Sequence, residues 1–487
     1  MFEVLICSTI GVVMLGMIYA WDGAHDVFHP MMFIGPMLLF LYGWMPLKLL
    51  QVNSLDGFFQ IDQLIFVQTI NLLGTAAFVF GCNTVGLRNV RPQLSRLRLS
   101  DCAGKKLISG ALVLGVIGLA AWLFAIRNVG GLLAAFGTAY SGGWDDNGYV
   151  RDASMLMFCA FTLILTVTLK NRVRPRYLLY LAIFLAPWVM QAIFTARRGP
   201  TFLICTLVGM GPFLILNRRP PLVATALAGL GLGFLILFLV ANRNSLYLGS
   251  DFQFTTDVTS MVDKPDTGNE YIYGTGCILA AEARQNFYWG RRYAAQILVR
   301  PIPKEIWPTK YADFGLPALQ EVMGQASSSN VGTGEGFSEV LGWVGAKGSA
   351  PGVVSDLWLE FHWLGIPIMA VIGRIYATVW RKAVVEGHVW TAQYVVMSAL
   401  SIYLVMQQME AVIFRLLILS LPVWLVWRRA LRTKNAFVPE REAYEIVGTA
   451  DGSKDFLHVQ KTPDLSGHIR DGRRANIVVP KGYTEAL

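Results

Sequence analysis

Residues 222–241 have the sequence LVATALAGLGLGFLILFLVA, an apolar run without a single charge. An α-helix needs about 20 predominantly apolar residues to cross a hydrocarbon core of roughly 30 Å, so this run predicts a transmembrane helix. Ten further runs predict the same: residues 2–21, 31–50, 63–86, 107–126, 154–170, 177–196, 201–216, 357–380, 389–409 and 411–427. The sequence therefore predicts an all-α polytopic membrane protein with about eleven transmembrane helices.

The composition of the whole chain agrees with this prediction. Of 487 residues, 54% are hydrophobic and 15% are charged, whereas soluble domains average about 25% charged residues. The mean hydropathy is +0.48. Such a composition excludes a water-soluble enzyme, a disordered chain and a small disulfide scaffold. The six cysteines form no Cys-x-x-Cys pair, so neither a zinc site nor a disulfide framework is predicted.

Lysine and arginine residues near the predicted span ends indicate the orientation of the chain. Eighteen of them fall on one side of the spans, in segments 88–106, 170–176, 218–219, 381–382 and 428–434, and six fall in the short loops of the other side. The positive-inside rule then places the N-terminus outside and the C-terminal tail in the cytoplasm. The net charge of +9 mostly reflects this asymmetry, and no nucleic acid is predicted as a partner because the basic residues are scattered in turns.

The predicted spans divide the chain into four parts. These are residues 1–241 with helices one to eight, a large external loop of residues 242–350, residues 351–427 with helices nine to eleven, and a cytoplasmic tail of residues 428–487. We expect the loop to form a subdomain with short helices and the tail to be loosely folded, with a short strand at most. No internal repeat is found, which argues against a transporter built from inverted repeats.

The external loop mixes many aromatic residues with nine basic and eleven acidic ones. That mixture suits a surface that stacks sugars and holds phosphate groups. The alternative is a small folded cap on the bilayer, with its aromatic residues at the level of the headgroups. Within the loop, residues 278–299 predict an amphipathic helix that lies on the membrane surface or lines a groove for lipid.

Basic residues in and near this loop are candidate phosphate ligands, because arginine is the preferred bidentate partner of phosphate oxygens. Arg197 and Arg198 lie between two apolar runs on the predicted external side, where charges are costly; alternatively, they snorkel to the interface. Three prolines between Arg300 and Lys310 fix an extended path that presents both residues to an anion, although loop packing explains the run equally well. The candidate pyrophosphate and substrate ligands are Arg197, Arg198, Arg243, Arg291, Arg292, Arg300 and Lys310.

Carboxylates before the last spans are the candidate general bases. Glu335 and Glu339 rank first, because they lie in a Gly-rich stretch that can approach a ligand closely. Asp356 and Glu360 rank lower, because acidic residues at the start of a span also cap and orient it. Each pair is four residues apart and shares one face if helical, with His362 on a neighbouring face.

A metal site is not favoured by the sequence. His25 and His29, with Asp22 and Asp26, have i, i+4 spacing, but they fall in a short loop directly before Pro30. No Asp-x-Asp or other metal–nucleotide motif is evident. The sequence therefore predicts neither a metal nor a cofactor, and it does not indicate a sugar-nucleotide donor.

Together these features resemble the bacterial oligosaccharide repeat-unit polymerases, the Wzy-type O-antigen and exopolysaccharide polymerases. The resemblance rests on the many spans, the late external loop, Arg-Arg-Gly at residues 197–199, and Pro-x-x-x-Trp-Pro-x-Lys at residues 303–310. It covers roughly residues 30–430. The run 355–365 is similar to that family's Gly-Glu-Leu-Tyr-x-Asn-Phe-Gly-x-x-Gly helix start, with Asp356 for Glu, Glu360 for Asn and His362 for Gly.

The resemblance implies a metal-independent, GT-C-like glycosyltransferase at the periplasmic face of the bacterial inner membrane. Such polymerases transfer a growing glycan from its polyprenyl-pyrophosphate carrier to the next lipid-linked repeat unit. The implied partners are the polyprenyl-pyrophosphate-linked donor and acceptor glycans, membrane lipids and a chain-length regulator protein. In that chemistry preorganised arginines neutralise the leaving pyrophosphate, and a loop carboxylate takes the proton of the acceptor hydroxyl.

Two other functions stay open at this point. An O-antigen ligase joins the glycan to a lipid A core, but ligases usually place a catalytic histidine in the external loop, and residues 242–350 contain no histidine. A transporter of polysaccharide or lipid-linked sugars predicts charged or broken helices at mid-bilayer in paired halves, whereas these spans are mostly free of charge.

Overall fold

The computed structural model divides the chain into two units, residues 1–438 and 439–487. The described residues are 1–55, 57–86, 97–138, 148–171, 174–195, 198–242, 245–251, 254, 270–302, 306–316, 337–342, 350–432 and 437–439. All of them except Pro439 belong to the first unit. The predicted strand near the end of the tail lies outside the described residues.

Ten helices in the described part of the chain are long and apolar enough to cross a membrane. They are Phe2–Ala24, Pro30–Gln51, Ile61–Asn83, Asp101–Val129, Pro175–Phe194, Arg198–Ile215, Leu222–Leu239, Gly352–Val385, His388–Met406 and Met409–Leu431. The eleventh predicted span is the apolar helix Leu156–Lys170, whose 15 residues reach only about 22 Å along the axis. The prediction of an all-α polytopic membrane protein is confirmed, with ten long apolar helices and one shorter one.

Short elements connect or extend these helices. The helices among them are Leu132–Phe136, Gly148–Ala153, Glu270–Arg284, Arg291–Ala294, Lys310–Asp313 and Phe337–Leu341. Residues 295–299 continue Arg291–Ala294 as a π turn, and a 3₁₀ turn at His362–Leu364 interrupts the long helix Gly352–Val385. The strands Leu97–Leu99 and Phe437–Pro439 pair as a two-stranded sheet.

Helix His388–Met406 forms the core of the bundle, because nearly all of its side chains are buried. It packs against both Gly365–Val385 and Met409–Leu431. Helix Leu222–Leu239, by contrast, has few buried side chains, as expected for an apolar helix at the edge of a membrane bundle.

Two glycines let neighbouring spans approach backbone to backbone. A Cβ atom on Gly81 would overlap the carbonyl oxygen of Ala370, and one on Gly373 would overlap that of Phe78. Small residues of this kind allow close packing of transmembrane helices. They fix helix Ile61–Asn83 against Gly365–Val385, the span whose start carries part of the candidate site.

The predicted amphipathic helix over residues 278–299 is wrong in its boundaries. The structure has one helix that ends at Arg284 and a second that begins at Arg291. Between them Gln285, Trp289 and Gly290 have positive φ angles of 49°, 52° and 81°. Left-handed backbone cannot continue a right-handed helix, so the chain turns here.

The first of these two helices, Glu270–Arg284, is built into the bundle. Its first three turns are almost entirely buried, and it packs against Gly352–Phe361 and Ile61–Asn83. The Tyr271 hydroxyl donates to Gln68 Oε1 at 3.0 Å. The segment between the seventh and eighth long apolar helices is thereby brought into contact with the start of a span.

Polar contacts between distant segments collect at two ends of the bundle. At one end Arg198 pairs with Glu270, Arg300 with Asp152, and Arg292 with carboxylates of two spans. At the other end Asp26 accepts from Arg219 Nε at 2.7 Å and from Trp380 Nε1 at 3.0 Å. If all eleven apolar helices cross the membrane in alternating directions, the two partners of each of these contacts lie on the same side. Under the predicted orientation the first end faces the periplasm.

Candidate functional site

A buried arginine and three carboxylates meet at the first end of the bundle. Arg292 lies in the short helix Arg291–Ala294, and Glu410 lies in the first turn of Met409–Leu431. Asp356 and Glu360 lie on helix Gly352–Phe361, where their spacing of four residues turns both toward Arg292. We call these four residues the arginine–carboxylate cluster.

The guanidinium of Arg292 is in contact with all three carboxylates. Nη2 lies 2.8 Å from Asp356 Oδ1 and 3.3 Å from Glu410 Oε2, and Nη1 lies 3.4 Å from Glu360 Oε1. The Arg292 side chain is 1% exposed, and those of Asp356 and Glu360 are 0% exposed. The contacts are therefore made out of reach of water, where unpaired charges are costly.

Further hydrogen bonds fix the two carboxylates of helix Gly352–Phe361. The Tyr293 hydroxyl and the Met409 amide donate to Asp356 Oδ2 at 2.7 and 2.8 Å. The Gly290 amide donates to Glu360 Oε2 at 2.7 Å. Burial raises the pKa of Tyr293, and Asp356 raises it further, so the phenol keeps the proton that it donates.

The cluster carries more acid than base. Arg292 contributes one positive charge, and the three carboxylates together carry three negative charges if all are ionised. Burial acts to lower the pKa of Arg292, but attraction by Asp356, Glu360 and Glu410 outweighs it and holds that pKa above its ordinary value, so the guanidinium stays charged. Its Nε has no hydrogen-bond partner among the described residues. The excess negative charge must be balanced by protons or by a bound cation.

A chain of side chains connects the cluster with the surface. Gln296 Nε2 donates to Glu410 Oε1, and Gln296 Oε1 accepts from Arg300 Nη1 at 2.9 Å. Arg300 Nη2 lies 2.5 Å from Asp152 Oδ2, and the guanidinium carbon stands 4.2 Å from the ring centroid of Phe414. The Arg300 side chain is 20% exposed, so it is the accessible cation nearest along this chain.

Arg198 and Arg291 are the other described candidate ligands that reach the surface. Arg198 begins its span and pairs with the buried carboxylate of Glu270; the Arg198 side chain is 30% exposed. Arg291 is exposed, and its Nε donates to the carbonyl oxygen of Tyr288 at 3.1 Å. Both side chains are accessible to an anion at the surface, whereas that of Arg292 is not.

The ammonium group of Lys310 is turned inward. It donates to the carbonyl oxygens of Val299 and Arg300, both at 3.2 Å, and to that of Ile302. Lys310 is therefore directed toward the backbone of residues 299–302 and not toward solvent. Anion binding by Lys310 stays a prediction that requires this loop to open.

The same run holds a small capped turn. Thr309 Oγ1 and Trp307 Nε1 both donate to Asp313 Oδ2 at 2.7 Å. These two hydrogen bonds hold the pKa of Asp313 below its ordinary value, because they stabilise the ionised carboxylate. The tryptophan of the Pro-x-x-x-Trp-Pro-x-Lys motif thus orders the turn that carries Lys310.

Several predicted site residues lie outside the described part of the chain. These are Arg197, Arg243 and Glu335; Glu339 lies in helix Phe337–Leu341, but its side chain is not described. Their predicted roles stay predictions. Sequence reasoning also missed Glu410, Tyr293 and Gln296. For Glu410 a signal was present, since an acidic residue directly precedes the apolar run that begins at residue 411.

No group of three or more histidine, cysteine, aspartate or glutamate side chains among the described residues is arranged to hold a metal ion. The loop at His25 and His29 has other contacts. Asp26 pairs with Arg219, and His29 Nδ1 accepts from the Met31 amide at 3.2 Å, which caps helix Pro30–Leu39.

Comparisons with known proteins returned no match. Neither protein-family models nor curated proteins nor solved structures are similar to this chain at a significant level.

Proposed function

We propose that this protein is a membrane glycosyltransferase that polymerises polyprenyl-pyrophosphate-linked oligosaccharide repeat units at the periplasmic face of the bacterial inner membrane, without a metal ion. The observation that carries the proposal is the first polar end of the bundle. There, a buried arginine–carboxylate cluster lies beside arginines that reach the surface, among elements of the predicted external segment.

The chemistry of such a transfer suits these residues. The donor sugar already carries a good leaving group, a lipid pyrophosphate, whose negative charge grows as the glycosidic bond breaks. Arg198 and Arg300 offer guanidinium groups at partly exposed positions. Fixed cations of this kind stabilise charge that develops in a transition state, and an arginine can hold two phosphate oxygens at once.

Arg292 and Asp356 have a different role in this proposal. Both are fully buried and hold each other at 2.8 Å, so neither reaches a substrate in this conformation. They fix helix Gly352–Phe361 against Arg291–Ala294 and Met409–Leu431, and so position the residues that surround them. We therefore assign them to positioning of the site.

The activity is tested with the purified protein in lipid nanodiscs. Polyprenyl-pyrophosphate-linked repeat units are supplied as both donor and acceptor. The proposal expects a ladder of lipid-linked glycans and the release of one polyprenyl pyrophosphate for each bond formed. A protein that is folded but yields neither ladder nor polyprenyl pyrophosphate would overturn it, and transfer only to a lipid A core acceptor would favour the ligase.

Polymerisation is expected to continue in the presence of EDTA. The reason is that arginine side chains, and not a divalent cation, neutralise the pyrophosphate in this proposal. The measurement is the initial rate of polyprenyl pyrophosphate release before and after chelation. Loss of that rate in EDTA, with recovery on adding back Mg²⁺ or Mn²⁺ alone, would contradict the prediction.

One observation favours a transporter as a second candidate. Ionisable residues inside a membrane bundle are expensive, and buried acidic groups in excess over their cation are a common feature of proton-coupled carriers. The arginine–carboxylate cluster has this character. Proteoliposomes separate the two functions: a transporter moves the lipid-linked oligosaccharide across the bilayer without releasing polyprenyl pyrophosphate.

A further inference from the structure

A second ionisable pair lies beside the arginine–carboxylate cluster but on the surface. His362 Nε2 lies 2.9 Å from Glu282 Oε1, and Trp358 Nε1 donates to the same oxygen at 3.0 Å. The side chains of His362 and Glu282 are 27% and 23% exposed. We call these two residues the carboxylate–histidine pair. This pair is accessible, whereas the carboxylates of Asp356 and Glu360 on the preceding helix are buried.

The backbone of His362 is unusual for a residue with a side chain. It has φ 51° and ψ −131°, a conformation that glycine adopts readily and other residues rarely adopt. Here a histidine occupies a glycine conformation, so the local strain must be offset by the contacts of its ring.

Those contacts hold the imidazole in one orientation. The ring stacks on Phe287, with centroids 4.3 Å apart and planes inclined by 29°. The loop that carries Phe287 is itself fixed, because the amides of Tyr288 and Trp289 donate to the carbonyl oxygens of Leu359 and Glu360 at 2.9 and 2.6 Å. Strained residues that are fixed in this way concentrate at functional sites.

We infer that the carboxylate–histidine pair is the general base that takes the proton of the acceptor hydroxyl. This inference rests on the proposed function. Asp356 is closed off by Arg292 and Tyr293, whereas the imidazole of His362 is partly exposed and already oriented by a carboxylate. Geometry of this kind, a base held by a third group, is the usual arrangement for proton abstraction.

The tautomer follows from the hydrogen bond. A carboxylate only accepts, so Nε2 carries the proton toward Glu282 and Nδ1 is left as the basic nitrogen. In the transfer step the acceptor oxygen bonds to C1 of the donor sugar while the bond from C1 to the pyrophosphate oxygen breaks. The electron pair of that bond leaves with polyprenyl pyrophosphate, and the hydroxyl proton moves to Nδ1. Glu282 stabilises the imidazolium, which returns its proton to water.

Two exposed tryptophans border the pair. Trp289 is next but one to Phe287 and Trp363 directly follows His362; both indole rings are largely exposed. Flat apolar rings beside a hydrogen-bonding pair suit a sugar, which presents C–H groups on one face and hydroxyl groups at its edge. The acceptor glycan is therefore the substrate that we place here.

The decisive variant is His362→Gly. Glycine fits the observed backbone without strain, so the melting temperature is expected to stay equal to that of the parent or to rise. The rate of polyprenyl pyrophosphate release is expected to fall by about 10²-fold or more, the range of a lost general base. Imidazole added to the medium is expected to recover part of the rate.

His25→Gly is the matched control. His25 also has a positive φ, 46°, at the C-terminal cap of helix Phe2–Ala24, it is exposed, and it lies at the other polar end. The His25→Gly protein is expected to release polyprenyl pyrophosphate at the same rate as the parent protein. Polymerisation by His362→Gly at the parent rate would overturn the inference, as would a loss of rate that imidazole does not recover. Absence of any polymer from the parent protein would overturn the proposed function itself.

Discussion

Replacing Arg292 with alanine is expected to lower the free energy of unfolding by about 3–5 kcal/mol, as found when one partner of a buried ion pair is removed. The reason is the charge left behind. Asp356 and Glu360 are fully buried, and together with Glu410 they have Arg292 as their shared cation. Without it, they must take up protons or open the packing of two spans. Thermal unfolding of the purified protein in detergent measures the loss.

The neighbouring residue provides a matched control. Arg291 lies on the same short helix but is exposed, so Arg291→Ala is expected to melt like the parent protein. A second variant tests the cause: adding Glu360→Gln and Glu410→Gln to Arg292→Ala removes much of the unbalanced charge and is expected to restore part of the stability. An Arg292→Ala protein that melts like the parent but makes no polymer would instead support the predicted role of Arg292 as a pyrophosphate ligand.

The architecture was accessible from the sequence because membrane spans obey a local rule. Each spanning helix must form all its backbone hydrogen bonds internally and expose apolar side chains to lipid. A run such as residues 222–241 can therefore be recognised as a span without knowledge of its neighbours. The short run of residues 154–170 is the weakest of the predicted spans, and its helix Leu156–Lys170 has only 15 residues.

The partners within the site were much harder to predict. The spacing of Asp356 and Glu360 correctly places both on one face of a helix, since that needs only the helical period. The contact of this face with Arg292 joins residues that are 64 positions apart in the sequence, Arg292 and Asp356. Glu410, which also contacts Arg292, is 118 positions away from it. An arginine in a polar loop suggests a phosphate ligand when only the sequence is known. In the fold, Arg292 pairs with three carboxylates of the bundle.

The turn at residues 285–290 shows a second limit of sequence reasoning. Periodicity alone favours a continuous amphipathic helix over 278–299, and Gly290 is a weak signal against it. The turn also requires positive φ at Gln285 and Trp289, residues that rarely adopt it. Backbone hydrogen bonds to the end of helix Gly352–Phe361 stabilise that conformation, and they become visible only in three dimensions.

Replacing Arg198 with alanine is expected to reduce the rate of polymerisation by about 10²–10³-fold, the usual loss when one preorganised donor to a developing oxyanion is removed. Arg198 is partly exposed at the start of its span, where it can hold the leaving pyrophosphate. Arg198→Lys should recover only part of the rate, because lysine keeps the charge but lacks the planar fork that grips two oxygens. The measurement is the initial rate of polyprenyl pyrophosphate release in nanodiscs.

The pairing of Arg198 with Glu270 requires a second variant. Glu270 is buried, so Arg198→Ala also leaves a carboxylate without its partner and lowers stability for a reason unrelated to the substrate. Combining Arg198→Ala with Glu270→Gln removes that charge, and the melting temperature should return toward that of the parent while the rate stays low. The Glu270→Gln protein, which keeps the arginine, should retain most of its activity. If the double variant regains both stability and rate, Arg198 serves only to balance Glu270, and the pyrophosphate must be held by other residues.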